Sequence, residues 1–235
     1  MNILITGTSS GIGNGLAKEF LNGGHSVFGI SRRVDLTLIK SSNYKHLQLD
    51  LTDYNKVQEE IPFFVKGVER IDLVILNSGV LGEIKWAAEQ NVEAMKSVME
   101  INVWANKVLL DCLLKEQTQI DQVVGISSGA SLRSTPGWAP YSISKAALNL
   151  LINAYSVEFT DTHFSAFAPG LVDSNIQEYI YNLADKESYP AAKRLSESRY
   201  TDIMPNPDKA ATMLIEGMKK ALNYPSGSYV DVREM

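Results

Sequence analysis

The chain has 235 residues, 45% hydrophobic and 21% charged, with a formal net charge of −5 and a pI near 5.3. That length suits one large α/β domain, and the acidic balance argues against nucleic acid or an anionic membrane as the main partner. No apolar run approaches the ~20 residues of a membrane span, no signal-peptide pattern is visible where Asn2-Ile3-Leu4-Ile5 runs straight into Thr6-Gly7, and the one cysteine, Cys112 in an apolar run, forbids an intrachain disulfide. The expectation is a cytoplasmic protein in a reducing compartment, with neither nucleic acid nor membrane as partner.

Ile3, Leu4 and Ile5 form an apolar strand without alternation, as in a strand covered on both faces. Thr6-Gly7-Thr8-Ser9-Ser10-Gly11-Ile12-Gly13 follows, then a helix with Leu16, Ala17, Phe20 and Leu21 at helical spacing, ended by Gly23-Gly24. Strand, glycine turn and helix make the phosphate-binding half of a dinucleotide fold. The glycines let the backbone approach a pyrophosphate, and the helix start offers free N–H groups and a positive dipole end. Gly7, Ser9, Ser10, Gly11, Ile12 and Gly13 are therefore candidate cofactor residues. Their spacing, G-x-x-x-G-x-G, is neither G-x-G-x-x-G nor a P-loop.

A second strand, Ser26-Val27-Phe28-Gly29-Ile30, runs into Ser31-Arg32-Arg33. At this strand end an acid would accept from the 2′-hydroxyl of NAD, whereas an arginine accommodates the 2′-phosphate of NADP. Ser31, Arg32 and Arg33, with no acid before Asp35, favour NADP(H) over NAD(H). The third strand, His46-Leu47-Gln48-Leu49, ends at Asp50-Leu51, a candidate adenine contact. Thr52 or Asp53 caps a helix over 54–60. A fourth strand, Leu73-Val74-Ile75-Leu76, meets the small-residue turn Asn77-Ser78-Gly79, which again permits close backbone approach.

The pattern over 91–117 reads as one long helix carrying Asn102 at its middle, where an asparagine is mildly unfavourable and ordinarily faces solvent. The fifth strand, Val123-Val124-Gly125-Ile126, leads through a Ser/Gly/Pro loop to a helix over 141–159. Tyr141 and Lys145 stand four apart at its start and project from one face. Ser128 lies at the strand end, so a hydroxyl, a phenol and an ammonium converge on one crevice. The sixth strand, Phe164-Ser165-Ala166-Phe167, ends at Ala168-Pro169-Gly170-Leu171-Val172-Asp173-Ser174. From 175 to 207 the periodicity weakens and tyrosines mix with charges, as in a mobile lid over a substrate. A helix over 208–222 and a strand over 228–232 close the chain. His25, His46 and His163 lack metal-ligand spacing. The whole, 1–235, reads as one α/β domain, a single Rossmann-type doubly wound, mostly parallel sheet with helices on both faces.

Thr6-Gly7-x-x-x-Gly11-Ile12-Gly13, Asn77-x-Gly79, Asn102, Ser128 with Tyr141-x-x-x-Lys145, and Pro169-Gly170-x-Val172-x-Ser174 occur in this order. In that set the chain resembles the short-chain dehydrogenase/reductase family across nearly its full length. The resemblance implies a seven-stranded sheet and reversible nicotinamide-dependent carbonyl/alcohol chemistry. It makes Tyr141 the proton donor, Lys145 its electrostatic support and a ribose ligand, Ser128 a donor to the substrate oxygen, and Asn102 the holder of a relay water. It assigns Val172 and Ser174 to the carboxamide, with Asn77, Gly79, Pro169 and Gly170 also lining the cofactor. Leu76, Ser78 and Ser174 depart from the family's usual residues. The ending Tyr229-Val230-Asp231-Val232-Arg233-Glu234-Met235 lacks the usual Asp-Gly-Gly. That ending and the arginine pair look more like carbonyl, sepiapterin and benzil reductases. The expected partner is a small carbonyl or alcohol, walled by 80–86, 131–138 and the lid, with Trp138 and the lid tyrosines favouring an apolar or aromatic one. The helices over 91–117 and 141–159 suit a homodimer or homotetramer, although packing on the sheet accounts for them equally. Two other functions fit less well. A non-catalytic NADP-binding regulator would be expected to lose Tyr141, Lys145 or Ser128, and a sugar-nucleotide epimerase or dehydratase prefers an acid after the second strand.

Overall fold

The apolar runs become seven strands: β1 (Asn2–Thr6), β2 (Ser26–Ser31), β3 (Tyr44–Gln48), β4 (Leu73–Leu76), β5 (Gln122–Ile126), β6 (His163–Ala168) and β7 (Ser228–Asp231). The computed structural model describes residues 1–115, 118–183 and 185–235. The sheet order is β3-β2-β1-β4-β5-β6-β7, and every neighbouring pair is parallel. This is the expected Rossmann-type architecture. A two-residue parallel ladder between Arg70–Ile71 and Gln119–Ile120 is added to it, too short for periodicity to reveal.

Eight α-helices among the described residues cover the sheet: α1 (Gly11–Asn22), α2 (Tyr54–Phe64), α3 (Val92–Met99), α4 (Ala105–Lys115), α5 (Ala139–Glu158), α6 (Asn175–Tyr181), α7 (Pro190–Ser198) and α8 (Pro207–Ala221). None of them is long and apolar enough to cross a membrane. Leu4 of β1 faces the layer built by α2, α4 and α5. Ile3 and Ile5 face the layer built by α1 and α8. Burial on both faces is why this strand shows no polar alternation. Asp53 caps α2 through Lys56 N, as anticipated, and the helix runs past 60 to Phe64.

Two expectations need correction. The helix over 91–117 is not continuous: a π-helical turn, Glu100–Trp104, separates α3 from α4. Residues 116 and 117, the expected last two, lie outside the described residues, as does 184 within the expected lid. Asn102 sits on that wide turn and is fully buried rather than solvent-facing. The reason is tertiary. Its Oδ1 accepts from Val80 N at 2.8 Å, and its Nδ2 donates to Val80 O and Ser144 Oγ, each at 2.9 Å. Its carbonyl also accepts from Asn106 Nδ2 at 2.9 Å. Partners across the chain outweigh the local cost of an asparagine within a helix. The 175–207 segment, irregular by periodicity, holds α6 and α7.

Candidate functional site

A cleft of about 770 Å³ runs along the C-terminal ends of the strands, where open α/β sheets place ligands. At its centre is the glycine turn between β1 and α1. Gly7 and Gly11 have φ of +77° and +60°, which side chains rarely tolerate. At Gly13 a Cβ would lie 2.5 Å from both Gly7 O and Asn77 Nδ2. Thr6 draws the β4 turn onto this one: its Oγ1 accepts from Asn77 N and Ser78 N, both at 2.9 Å. Ser10 is the N-cap of α1, yet its side chain makes no capping bond, and no acid stands in the first turn. The first N–H groups of α1 are thus left for an anion, and the cradle fits a pyrophosphate. Ser9, Ser10, Gly11 and Ile12 all line the cleft.

At one end the guanidinium groups of Arg32 and Arg33 are exposed along the same cleft. Ser31 also lines it, but its hydroxyl donates to Arg33 O at 2.7 Å and so shapes the turn. Asp35, the nearest acid after β2, is engaged with Thr37 and Asn14, and the Thr37 bonds hold its carboxyl below the usual carboxylate range. It is not among the cleft-lining residues. Asp50 lines the cleft beside Leu51. Its Oδ1 accepts from Thr52 N and Oγ1, while Oδ2 lies 3.9 Å from Arg32 Nη1.

At the other end Ser128, Tyr141 and Lys145 converge as the spacing implied. Tyr141 and Lys145 are buried on α5, at 8% and 4% exposure. Burial pushes the Tyr141 phenol above its ordinary value, and the Ser128 hydroxyl pulls it partly back. Desolvation lowers the Lys145 ammonium from 10.5 to about 8. Its Nζ donates to Ile126 O at 2.7 Å and stands 5.7 Å from the Tyr141 ring centre. Gly79 allows this approach: a Cβ there would lie 3.3 Å from Lys145 Nζ and 3.1 Å from Asn102 Oδ1. The Ser128 turn is held from behind. Ser131 Oγ donates to Ser128 O at 2.7 Å and accepts from Asn149 Nδ2, and Asn149 Oδ1 accepts from Ser127 Oγ. Asn102 is brought close but bonds Val80 and Ser144, and Ser144 Oγ donates to Tyr141 O. Pro169, Gly170, Val172 and Ser174 complete the wall.

Leu81, Trp138, Tyr141 and Leu195 of the cleft lining belong to an apolar cluster with Ile84, Ile180, Tyr189 and Ala192. Sequence reasoning missed Thr6, Ser144 and Asn149, which position the site, and Arg233, which enters the cleft from the chain's end. A hydroxyl or amide on a strand or helix carries no periodic signal of the partner it will meet. Arg233 is placed by the pairing of β7 with β6.

Comparison with known proteins agrees with this fold. A short chain dehydrogenase family profile matches residues 1–184. The chain is 27% identical over 248 residues to a benzil reductase ((S)-benzoin forming) of Bacillus cereus, covering 99% of each chain. It superposes on a short chain dehydrogenase/reductase of Saccharomyces cerevisiae with a TM-score of 0.84 and 26% identity, covering 98% of this chain and 95% of that one. It superposes on ElxO with NADP bound with a TM-score of 0.79 and 25% identity, covering 98% and 96%. The glycine turn and the Ser-Tyr-Lys set share one cleft on this sheet order, and the chain belongs to the short-chain dehydrogenase/reductase family as an NAD(P)H-dependent enzyme.

Proposed function

We propose that the protein reduces an apolar or aromatic ketone or aldehyde to an alcohol, with NADPH preferred over NADH. The observation that carries this reading is the convergence of Ser128, Tyr141 and Lys145 at one end of a cleft whose other end holds Arg32 and Arg33. When bound, NADPH supplies the hydride. Tyr141 Oη holds the proton that the carbonyl oxygen takes up, and Ser128 Oγ donates to that oxygen as charge develops on it. Lys145 places a positive charge beside the phenol and offers Nζ to the ribose hydroxyls. Asn102 positions the β4 turn and, through Ser144, the first turn of α5; its proposed water is held at the π-turn. Arg32, with Arg33 beside it, receives the 2′-phosphate, a reading supported by NADP in the related ElxO structure. Asp50 and Leu51 flank the adenine, and Val172 and Ser174 meet the carboxamide.

The segment over 175–207 acts as the lid. The proposed assembly is a homodimer or higher homo-oligomer, supported by exposed Ile143, Leu150 and Val157, seven apart along α5. The proposed setting is the cytosol, in keeping with a single cysteine.

Benzil is the first probe, because a relative from Bacillus cereus reduces it by name. NADPH oxidation with benzil and aromatic aldehydes should be measured for the wild type, Tyr141→Phe and Arg32→Ala. Tyr141→Phe should lower kcat/KM by about 10²–10⁴-fold; unchanged activity would sink the mechanism. Arg32→Ala should raise the KM for NADPH by about tenfold and leave that for NADH nearly unchanged. Equal losses with both cofactors would refute the 2′-phosphate assignment.

A further inference from the structure

The cleft is cationic in a chain whose net charge is −5. Arg32 and Arg33 at the adenosine end, and Lys145 beside the phenol, have roles in the reading above. Arg133, Arg194 and Arg233 line the same cleft and have none. Among the described lining residues the one acid is Asp50, which lies near Arg32 at the far end. Arg233 is already compensated, because its Nε and Nη2 reach the two oxygens of buried Asp231 at 2.9 and 2.5 Å. Arg133 and Arg194 differ: among the described residues neither guanidinium makes an ion pair or a hydrogen bond.

The two reach the cleft from different elements. Arg133 belongs to the loop between Ser128 and Trp138. Arg194 lies on α7 between Ala191 and Leu195, which also line the cleft, so the helix turns this arc toward it. Neighbouring cations of the lid do find acids. Lys193 Nζ bonds Glu187 at 2.7 Å, and Arg199 Nε bonds Asp173 at 2.9 Å. Arg194, next to Lys193 in the chain, is exposed like Arg133, and the lining they share includes the apolar Trp138 and Leu195. An uncompensated guanidinium beside apolar surface is a ready receptor for an anion, because its planar fork matches two oxygens of a carboxylate or phosphate.

We infer that the natural substrate is an acidic carbonyl compound. Its apolar body rests against Trp138 and Leu195, and a carboxylate or phosphate remote from the carbonyl is received by Arg133 and Arg194. This rests on the reductase reading and adds the charge of the substrate to it. The positive cleft also draws such a substrate into an otherwise acidic protein.

The test compares benzil, 4-carboxybenzil and the phosphate monoester of 4-hydroxybenzil as substrates, with NADPH saturating, for the wild type, Arg133→Gln and Arg194→Gln. Wild type should favour at least one anionic probe over benzil by about tenfold in kcat/KM, and whichever anion wins identifies the group. Each glutamine variant should lose most of that preference while keeping its kcat/KM on benzil and its KM for NADPH. Raising sodium chloride from about 0.05 M to about 0.5 M should shrink the preference as well. Benzil turned over as well as both anions overturns the inference and leaves the reductase reading standing. Variants that lose activity equally on all three probes, or whose KM for NADPH rises instead, overturn it too, the latter by assigning the arginines to the cofactor. If wild type reduces none of the three, the reductase reading falls and the inference falls with it.

Discussion

Burial sets the protonation states with which this site works. Lys145 has exchanged most of its water for the Ile126 carbonyl, so its charged form is disfavoured and its pKa falls to about 8. Tyr141 moves the opposite way, since burial disfavours the phenolate. Below about 8 the lysine is charged and the phenol neutral, the pair that carbonyl reduction needs. As pH rises through about 8 the lysine charge is lost while the phenol stays protonated. The kcat/KM for reduction should therefore hold level on the acid side and fall by about tenfold per pH unit above about 8. A profile flat to about pH 10 would detach the lysine from the reaction. Both residues were legible in the sequence because a spacing of four on a helix puts two side chains on one face whatever surrounds them. Arg194 was not: its neighbours show which face of α7 meets the cleft only once the 175–207 segment is folded.

Among the elements, the π-turn between α3 and α4 shows how one polar side chain ties three segments together. Asn102 bonds both backbone groups of Val80, just after the β4 turn, and also Ser144 on α5. Alanine there strands the Val80 N–H and C=O and should cost about 1–3 kcal/mol in urea unfolding. It should also lower kcat/KM on benzil by loosening Gly79 against Lys145. An Asn102→Ala protein with wild-type stability would show that Val80 finds other partners and that the clamp is dispensable. Periodicity over 91–117 concealed this interruption, because the apolar stripe continues on both sides of the turn. The glycine turn behaved differently. Its conformation is imposed locally, by Gly7 with φ of +77° and by the absence of a Cβ at Gly13, so the sequence was enough to place it.

At the scale of the molecule, the 175–207 segment and the exposed face of α5 each carry a prediction. The 175–207 segment is held by Ile180, Ala192, Leu195 and Met204 packing over Trp138 and Tyr141, and Asn175 Nδ2 donates to Ser10 Oγ at 3.1 Å. That bond links the 175–207 segment to the glycine turn, so a cofactor bound at the turn should steady the segment. Trypsin cleavage after Lys186 or Lys193 should slow several-fold with saturating NADPH; equal rates with and without it would remove the lid reading. The exposed stripe of Ile143, Leu150 and Val157 on α5 should bury itself in a second copy. Sedimentation equilibrium checks this, and a mass of 25.9 kDa would refute it.

Alternation of apolar strands and helices was enough to specify a doubly wound sheet, since crossover helices force parallel pairing and burial on both faces. The ordered glycines, Ser128, Tyr141 and Lys145 marked the candidate site, because turn conformation and helical spacing are local properties. What the tertiary structure alone decided is everything made by residues distant in the chain. Asn102 is turned inward by Val80, Arg233 is carried to the Ser128 turn by β7, and Arg133 and Arg194 come to line one cleft whose described lining holds Asp50 as its one acid. Such contacts depend on which surfaces the fold lays together, and no repeat in the sequence records that.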